Sequence, residues 1–135
     1  MVRILVADDD PVQLDLRRTV LELAGYQVVN ALSVASAMRS IRNDPADLVV
    51  TDLRFPNEAG ASDPEEGMAM IRELRELAYP GPIIVLSGWP EKLYGRPEEK
   101  MVSCMLLKPV RTQVLLDTIG ELLTSASGKL SDSRR

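Results

Sequence analysis

The sequence predicts an α/β fold in which a doubly wound, five-stranded parallel sheet carries helices on both faces. Short apolar runs alternate five times along the chain with segments whose apolar residues recur at helical spacing. Because connections between parallel strands are right-handed, few other topologies fit this alternation. With 135 residues, 45% of them hydrophobic, the chain has the size of one domain with one core.

The first strand is predicted at Ile4–Ala7, and a helix follows it. Asp10 and Pro11 are the residue types of a helix N-cap and a first helical position, and Gly25 ends the helix. The apolar face of this helix is expected at Val12, Leu16, Val20 and Leu23.

A more polar run over residues 26–31 suits a strand at the edge of the sheet. Ser33 is the expected cap of a second helix, which Asp44 and Pro45 end. Its expected apolar face is Val34, Ala37, Met38 and Ile41.

The third strand ends at Asp52, and a long connection over residues 53–63 follows. Asp63, Pro64 and Glu66 then have the types of a helix cap and of its first and third helical positions. The helix is expected to bury Met68, Ile71 and Leu74.

The fourth strand is the run over residues 83–86. Pro90, Gly95 and Pro97 interrupt the next segment, so a regular helix is expected there only over residues 97–102. The fifth strand, over residues 105–107, leads through Lys108 and Pro109 into a last helix. We expect one domain over residues 1–124 and a solvated tail over residues 125–135.

Composition excludes several classes of function. The formal charge of −4 gives no basic patch, so we expect no direct binding to nucleic acid and no attachment to anionic membranes. The absence of histidine excludes imidazole metal ligands and most hydrolase triads. The four apolar residues after Arg3 are too few for a signal or membrane segment, so we expect a cytoplasmic protein.

Polar residues follow the apolar runs at the edge where the carboxyl ends of parallel strands meet. They are Asp8 and Asp9, Asp52, Ser87 and Lys108. Converging carboxylates repel one another unless a hard cation joins them, which favours Mg²⁺. We expect Asp9 and Asp52 as its ligands and Asp8 acting through water.

Asp52 is the predicted nucleophile of a phosphoryl transfer, because it ends a buried strand where water is scarce. Lys108 can place a positive charge on the phosphoryl oxygens, and the Ser87 hydroxyl can donate a hydrogen bond to another of them. Asp10 is assigned to the helix cap in preference to the metal. Each of these residues alone is common in loops or caps, so their joint placement carries the prediction.

The residues Asp8-Asp9, Asp52, Ser87 and Lys108-Pro109 resemble the signature of the receiver domain of bacterial two-component response regulators. The resemblance runs from about residue 3 to residue 123. It implies a flavodoxin-like sheet of strand order 2-1-3-4-5 and a sensor histidine kinase or phosphotransfer protein as the donor to Asp52. It also implies a phosphoacceptor that assists its own phosphorylation and dephosphorylation, and is not otherwise an enzyme.

The resemblance further implies that Mg²⁺ is held by Asp9, Asp52 and the main-chain carbonyl of Arg54, with Asp8 assisting through water. A cis peptide bond before Pro109 belongs to the same pattern. By analogy with the family, homodimerisation through the face near the last helix is an open alternative. The cognate kinase and the downstream protein target are not encoded in any general pattern.

The sequence departs from the family at several positions. Met105 stands where the family usually has the aromatic ring of its switch, which predicts an altered switch. The connection over residues 57–66 is longer than usual and is either a lid or partner contact, or a neutral surface insertion. Arg54 is expected to change dephosphorylation, and Trp89 is either a gate for water or a packing residue over Pro90.

Two other functions stay open. A Mg²⁺-dependent phosphohydrolase with an aspartate nucleophile needs a second acid two residues after Asp52, where Arg54 stands. A receiver-like binding module that works without phosphorylation would agree with Met105, the broken fourth helix and the long connection. The intact acidic cluster argues against this second alternative.

Overall fold

A five-stranded parallel sheet forms the centre of the molecule in the computed structural model, which describes residues 1–127. The elements in chain order are β1 (Arg3–Ala7), α1 (Pro11–Leu23), β2 (Gln27–Ala31), α2 (Val34–Asn43), β3 (Leu48–Asp52), β4 (Phe55–Pro56), β5 (Ser62–Asp63), α3 (Pro64–Glu76), β6 (Ile83–Ser87), 3-10 helices at Pro90–Lys92 and Pro97–Met101, β7 (Cys104–Leu107) and α4 (Thr112–Ser127). The sheet order is β2-β1-β3-β6-β7. Counted over the strands of this sheet alone, it is the expected flavodoxin-like order 2-1-3-4-5, so the predicted fold class is confirmed.

Each face of the sheet carries two helices because successive side chains of a strand point to opposite faces. Ile4 and Val6 of β1 share one buried cluster with the inward residues of α1 and α4. Leu5 and Ala7 share the opposite cluster with those of α2 and α3. The three inner strands β1, β3 and β6 are therefore covered on both sides, which explains their nearly continuous apolar sequences.

Strand register places the ends of three strands side by side. Ala7 pairs with Thr51, and Asp52 pairs with Leu86, so β1, β3 and β6 end at the same edge of the sheet. Ser87 is the last residue of β6, one position beyond the partner of Asp52. The polar residues that follow these strands consequently emerge within one small area.

Helix α1 buries a different face from the one that the sequence predicted. Leu14 and Leu21 are buried, whereas Val12, Leu16 and Leu23 are 70%, 59% and 84% exposed. The inward stripe runs through positions 14, 17 and 21, and position 17 is an arginine. A search for apolar spacing passes over a charged residue, which is why it selected the wrong face.

The long connection after β3 folds back on itself as a small hairpin. Phe55 pairs with Asp63 and Pro56 with Ser62 in an antiparallel ladder. The side chain of Asn57 closes the turn. Its Oδ1 accepts from the backbone amides of residues 59 and 61, and its Nδ2 donates to the Asp63 carboxylate. Strands of two residues are too short to show an alternating pattern, so the sequence showed only a loop.

The segment between β6 and β7 has no α-helix. It forms two short 3-10 helices, and the second, Pro97–Met101, lies where the sequence allowed a regular helix. Glu98 anchors this segment because it is 2% exposed and accepts from Arg72 at 2.6 Å and from Arg96 at 3.2 Å. Arg96 also pairs with Glu65 at the start of α3. Ion pairs therefore connect this segment to α3.

The last helix continues to Ser127, past residue 125 where the sequence placed the start of a tail. Residues 128–135 of that predicted tail lie outside the described residues. Over residues 1–127, none of the helices combines the length and the apolar character needed to cross a bilayer.

We predict that Gly67→Ala destabilises the domain. The Gly67 amide donates to the Leu53 carbonyl at 2.9 Å, and an added Cβ would lie 2.3 Å from that oxygen. Such overlap with backbone forces α3 away from the end of β3, at a cost of about 2 kcal/mol or more. Gly120→Ala is the matched control, because open space surrounds its Cβ position and alanine favours a helix by about 0.5–1 kcal/mol. Urea unfolding that ranks Gly67→Ala at or above the parent would contradict this.

We predict that Glu98→Gln lowers stability in a pH-dependent way. Burial opposes ionisation of Glu98, but the Arg72 and Arg96 hydrogen bonds outweigh it and hold the pKa below the usual 4.5. The ionised group therefore contributes stability above pH 4.5, and this contribution is lost as the pH falls through the lowered pKa. At pH 7 the variant should lose about 1 kcal/mol, because the arginines are partly solvated.

The loss on Glu98→Gln should shrink below pH 4.5 in urea unfolding experiments. The exposed Glu91→Gln in the same segment serves as a control and should change stability little at any pH. A difference between Glu98→Gln and parent that is equal at pH 7 and at acid pH would contradict the assigned role.

Candidate functional site

Asp52 lies at the carboxyl end of the central strand, and its side chain is 12% exposed. One oxygen, Oδ1, accepts from the Leu53 amide at 2.7 Å and from the Arg54 amide at 3.2 Å. The other, Oδ2, lies 2.6 Å from Lys108 Nζ. Two backbone amides and the lysine ammonium group therefore hold both carboxylate oxygens in place.

Lys108 reaches this carboxylate from the end of β7. Its backbone amide donates to the Ser87 carbonyl at 2.9 Å, and the Lys108–Pro109 peptide bond is cis. The ammonium group also lies 3.6 Å from Asp8 Oδ2. Lys108 therefore bridges the carboxylates that follow β1 and β3.

Asp8 is only 1% exposed, and cations and an amide surround its carboxylate. Its Oδ2 accepts from Arg17 Nη1 at 2.7 Å and its Oδ1 from the Asp10 amide at 3.0 Å. Burial raises the pKa of Asp8, but the hydrogen bonds from Arg17 and Asp10 and the charge of Lys108 outweigh it and leave that pKa below its ordinary value. Asp8 is thus a buried, ionised group with its own counter-cation.

Asp9 and Asp10 take different roles beside it. Asp10 caps α1, since its Oδ1 accepts from the Val12 amide at 2.9 Å, so the predicted cap is confirmed. Asp9 is exposed, and partial desolvation followed by the negative charge of Asp8 raises its pKa. Asp9 is therefore the acidic side chain of the cluster that is most open to a new cation.

Ser87 and Met105 lie on the two strands beyond Asp52. Ser87 is 5% exposed, and its Oγ accepts from the Trp89 amide at 3.0 Å, which still allows the hydroxyl to donate. Met105 pairs in register with Val85 and is half-buried against the cluster beneath α2 and α3. The structure therefore brings Ser87 to the acidic edge, whereas Met105 packs against the cluster beneath α2 and α3.

Arg54 and Trp89 stack beside the acidic cluster. The guanidinium carbon of Arg54 lies 4.5 Å from the centre of the Trp89 ring, a cation–π contact. Together with Arg17, Asp52 and Lys108 they line a cavity of about 620 Å³. Trp89 is 51% exposed, so the stack borders the entrance to the cluster and leaves it open to solvent.

The donor set suits a hard cation, but its present arrangement does not form a closed metal site. Carboxylate oxygens and a main-chain carbonyl are the ligand types that Mg²⁺ takes. Within residues 1–127, however, no three acidic side chains converge closely enough to hold an ion. Arg17 pairs with Asp8 and Lys108 pairs with Asp52, so positively charged side chains neutralise part of the negative charge of those carboxylates.

Arg17 is the residue of this cluster that sequence reasoning missed. Its side chain is 10% exposed, unusual for an arginine, and it comes from the inward face of α1. Its position between Leu14 and Leu21 is the signal that could have identified it. A charged residue on a buried helical stripe needs a buried partner.

Comparison with known proteins gives one consistent family. The model of the response regulator receiver domain matches residues 4–120. The chain is 30% identical over 127 residues to the transcriptional regulatory protein GlrR of Escherichia coli K12, covering 92% of this chain and 27% of that protein. It is 29% identical over 130 residues to the sensory/regulatory protein RpfC of Xanthomonas campestris, covering 92% of this chain and 17% of that protein. The chain therefore spans only a minor part of these curated relatives.

Solved structures share the fold. A response regulator receiver domain protein from Clostridium thermocellum superposes with a TM-score of 0.81 at 24% identity, covering 94% of this chain and 98% of the other. The response regulator TrrA from Thermotoga maritima, solved with Mg²⁺ and BeF, gives 0.78 at 23% identity, covering 90% and 99%. At these identities the likeness shows the fold alone.

We predict that Arg54→Asn increases the access of solvent to Trp89, the single tryptophan of the chain. The guanidinium covers one side of the ring, and asparagine is too short to replace it. Acrylamide quenching of tryptophan fluorescence should therefore increase. Arg18→Asn removes an exposed arginine that pairs with Glu22 on α1 and is the control. Equal quenching in the parent and both variants would contradict the stacked arrangement.

Proposed function

The chain belongs to the response regulator receiver domain family, and from that premise we propose that Asp52 accepts a phosphoryl group and that this controls protein contacts. The chain is homologous to response regulators and sensor kinases of two-component systems, and phosphorylation-dependent signalling is the function of the family. The family is a phosphoacceptor rather than a conventional enzyme class. The identity of the acceptor in this chain and its partners are the proposed part.

The arrangement around Asp52 is the observation that carries the proposal. Backbone amides hold Oδ1, and Lys108 Nζ lies 2.6 Å from Oδ2 at the end of a buried strand. A carboxylate held in this way can attack phosphorus in line while the bond from phosphorus to the leaving group breaks. The leaving group departs with that electron pair, and the product is an aspartyl phosphate.

Lys108 and Ser87 have complementary roles in this proposal. As charge moves onto the phosphoryl oxygens, the Lys108 ammonium can follow from the carboxylate oxygen to one of them. Ser87 is buried beside the acceptor strand and can donate its hydroxyl proton to another. Because Ser87 accepts from the Trp89 amide, its movement toward phosphate would shift the start of the 3-10 segment.

Met105 supports a switch based on packing. It is half-buried against the cluster beneath α2 and α3, where a flexible thioether can change rotamer without opening a large void. We propose that repacking there, coupled to Ser87, carries the signal to the surface formed by residues 88–103. The ion pairs of Glu98 would then limit how far that surface moves.

Mg²⁺ belongs to the proposal as a cofactor that neutralises phosphoryl charge and aligns the donor. Asp9, Asp52 and the main-chain carbonyl of Arg54 would hold it, with Asp8 acting through water. The oxygen-only donor set and the exposed Asp9 support this assignment. We further propose a cytoplasmic protein whose donor is a sensor histidine kinase or a phosphotransfer protein and whose output is a protein contact.

Intact-mass measurement after incubation with Mg²⁺ and a small acyl phosphate tests the proposed function. We predict that the parent gains the mass of one phosphoryl group and that Asp52→Asn gains none. Asp15→Asn is the matched control, because Asp15 is exposed on α1 outside the cluster, and it should gain as the parent does. No gain in any of the three proteins would favour a binding module that works without phosphorylation.

A further inference from the structure

Arg17 distinguishes the acidic cluster of this chain. Its side chain is 10% exposed and that of Asp8 2%, and Arg17 Nη1 lies 2.7 Å from Asp8 Oδ2. Arg17 comes from the inward stripe of α1 between two buried leucines, so the helix itself positions the guanidinium. A guanidinium stays protonated at any pH at which the protein is folded. The cluster thus contains a permanent positive charge that is part of the core.

The balance of charges shows what Arg17 does to a divalent cation. Asp8, Asp9 and Asp52 supply three negative charges when ionised, while Arg17 and Lys108 supply two positive ones. The cluster therefore retains about one negative charge, which is less than a divalent cation needs for neutrality. Without Arg17 the same carboxylates would retain two negative charges.

The hydrogen bonds of Asp8 lead to the same conclusion. Oδ2 is taken by Arg17 and approached by Lys108 at 3.6 Å, and Oδ1 accepts the Asp10 amide. Water that links Asp8 to a cation would have to compete with the guanidinium for the same oxygens. Breaking a buried ion pair leaves an uncompensated charge, which is strongly unfavourable unless another cation replaces the lost one.

We propose that Arg17 is a built-in counter-cation that competes with Mg²⁺ for the acidic cluster and sets a low affinity for the metal. This rests on the proposed function only in taking the cluster as the Mg²⁺ site. Arg17 is a positioning residue, since it acts through Asp8. Metal binding and the Arg17–Asp8 ion pair are then coupled, so each weakens the other to the same extent.

Calorimetric titration of the full chain with MgCl₂ at constant ionic strength tests this coupling. Arg17→Met removes the charge and keeps an aliphatic side chain on the buried stripe, and we expect it to bind Mg²⁺ at least about tenfold more tightly than the parent. Arg17→Lys keeps the charge and should bind Mg²⁺ as weakly as the parent. Arg18→Gln removes one positive charge from the exposed side of the same helix and should change the affinity less than about twofold.

Thermal unfolding gives a second readout that does not need phosphorylation. In chelator, Arg17→Met should unfold roughly 10 °C below the parent, because Asp8 is left buried without its partner. Saturating Mg²⁺ should restore most of that loss, whereas it should raise the parent by much less. A purely structural Arg17 would give a loss of stability that Mg²⁺ does not restore.

Equal Mg²⁺ affinities in the parent and Arg17→Met would overturn the proposal. An increase in Mg²⁺ affinity that is the same in Arg17→Met and Arg18→Gln would overturn it too. Failure of all four proteins to bind Mg²⁺ would overturn it as well. If Arg17→Met does not fold, the test is the nuclear magnetic resonance signal of the Arg17 side-chain N–H groups in the parent. We predict that this signal shifts when Mg²⁺ is added, because the Arg17–Asp8 ion pair breaks. A signal that does not change while Mg²⁺ binds would overturn the proposal. The intact-mass experiment on the parent tests the proposed function separately, so failure of one proposal does not imply failure of the other.

Discussion

Concentration of negative charge at one edge of the sheet is the constraint on which the rest of this structure depends. Strand register brings the carboxylates after β1 and β3 together, where their mutual repulsion would oppose folding. Lys108 bridges two of them from β7, and Arg17 holds Asp8 from the inward face of α1. Two positive side chains from distant parts of the chain thus make the fold compatible with the site.

The elements around this edge pack closely beside Asp52. Close contact between Gly67 and the Leu53 carbonyl fixes α3 against the end of β3, directly beside Asp52. The connection after β3 folds into a hairpin, and the Gly67–Leu53 contact is kept beside it. On the other side, ion pairs of Glu98 tie the 3-10 segment to α3. These contacts support the surroundings of the site, and the proposed repacking would begin at Ser87 and Met105.

Much of this arrangement was predictable because it follows from local patterns. Apolar runs located the strands, and Asp10, Ser33 and Asp63 marked the starts of helices where the structure has them. Asp52, Ser87 and Lys108 were identifiable because each follows or ends a strand at the same edge. These signals depend on neighbours in sequence or on a topology with few alternatives.

The features that escaped prediction depend on tertiary contacts. Arg17 is buried only because Asp8 lies opposite, so apolar periodicity placed the inward face of α1 at the wrong residues. Two-residue strands carry no period, so the hairpin remained a loop. Glu98 is buried in the second 3-10 helix, where it pairs with Arg72 of α3 as well as with the nearby Arg96. In each case the structure depends on contacts between side chains or strands that the pattern of apolar residues does not record.

The carboxylate at the end of β3 is the proposed recipient of the phosphoryl group. Borohydride reduction converts an aspartyl phosphate to homoserine, and peptide mass spectrometry then locates the modified position. After incubation with Mg²⁺ and a small acyl phosphate, we predict homoserine at position 52 alone. Modification at Asp8 or Asp9, or none at position 52 in a protein that has gained phosphate, would contradict it.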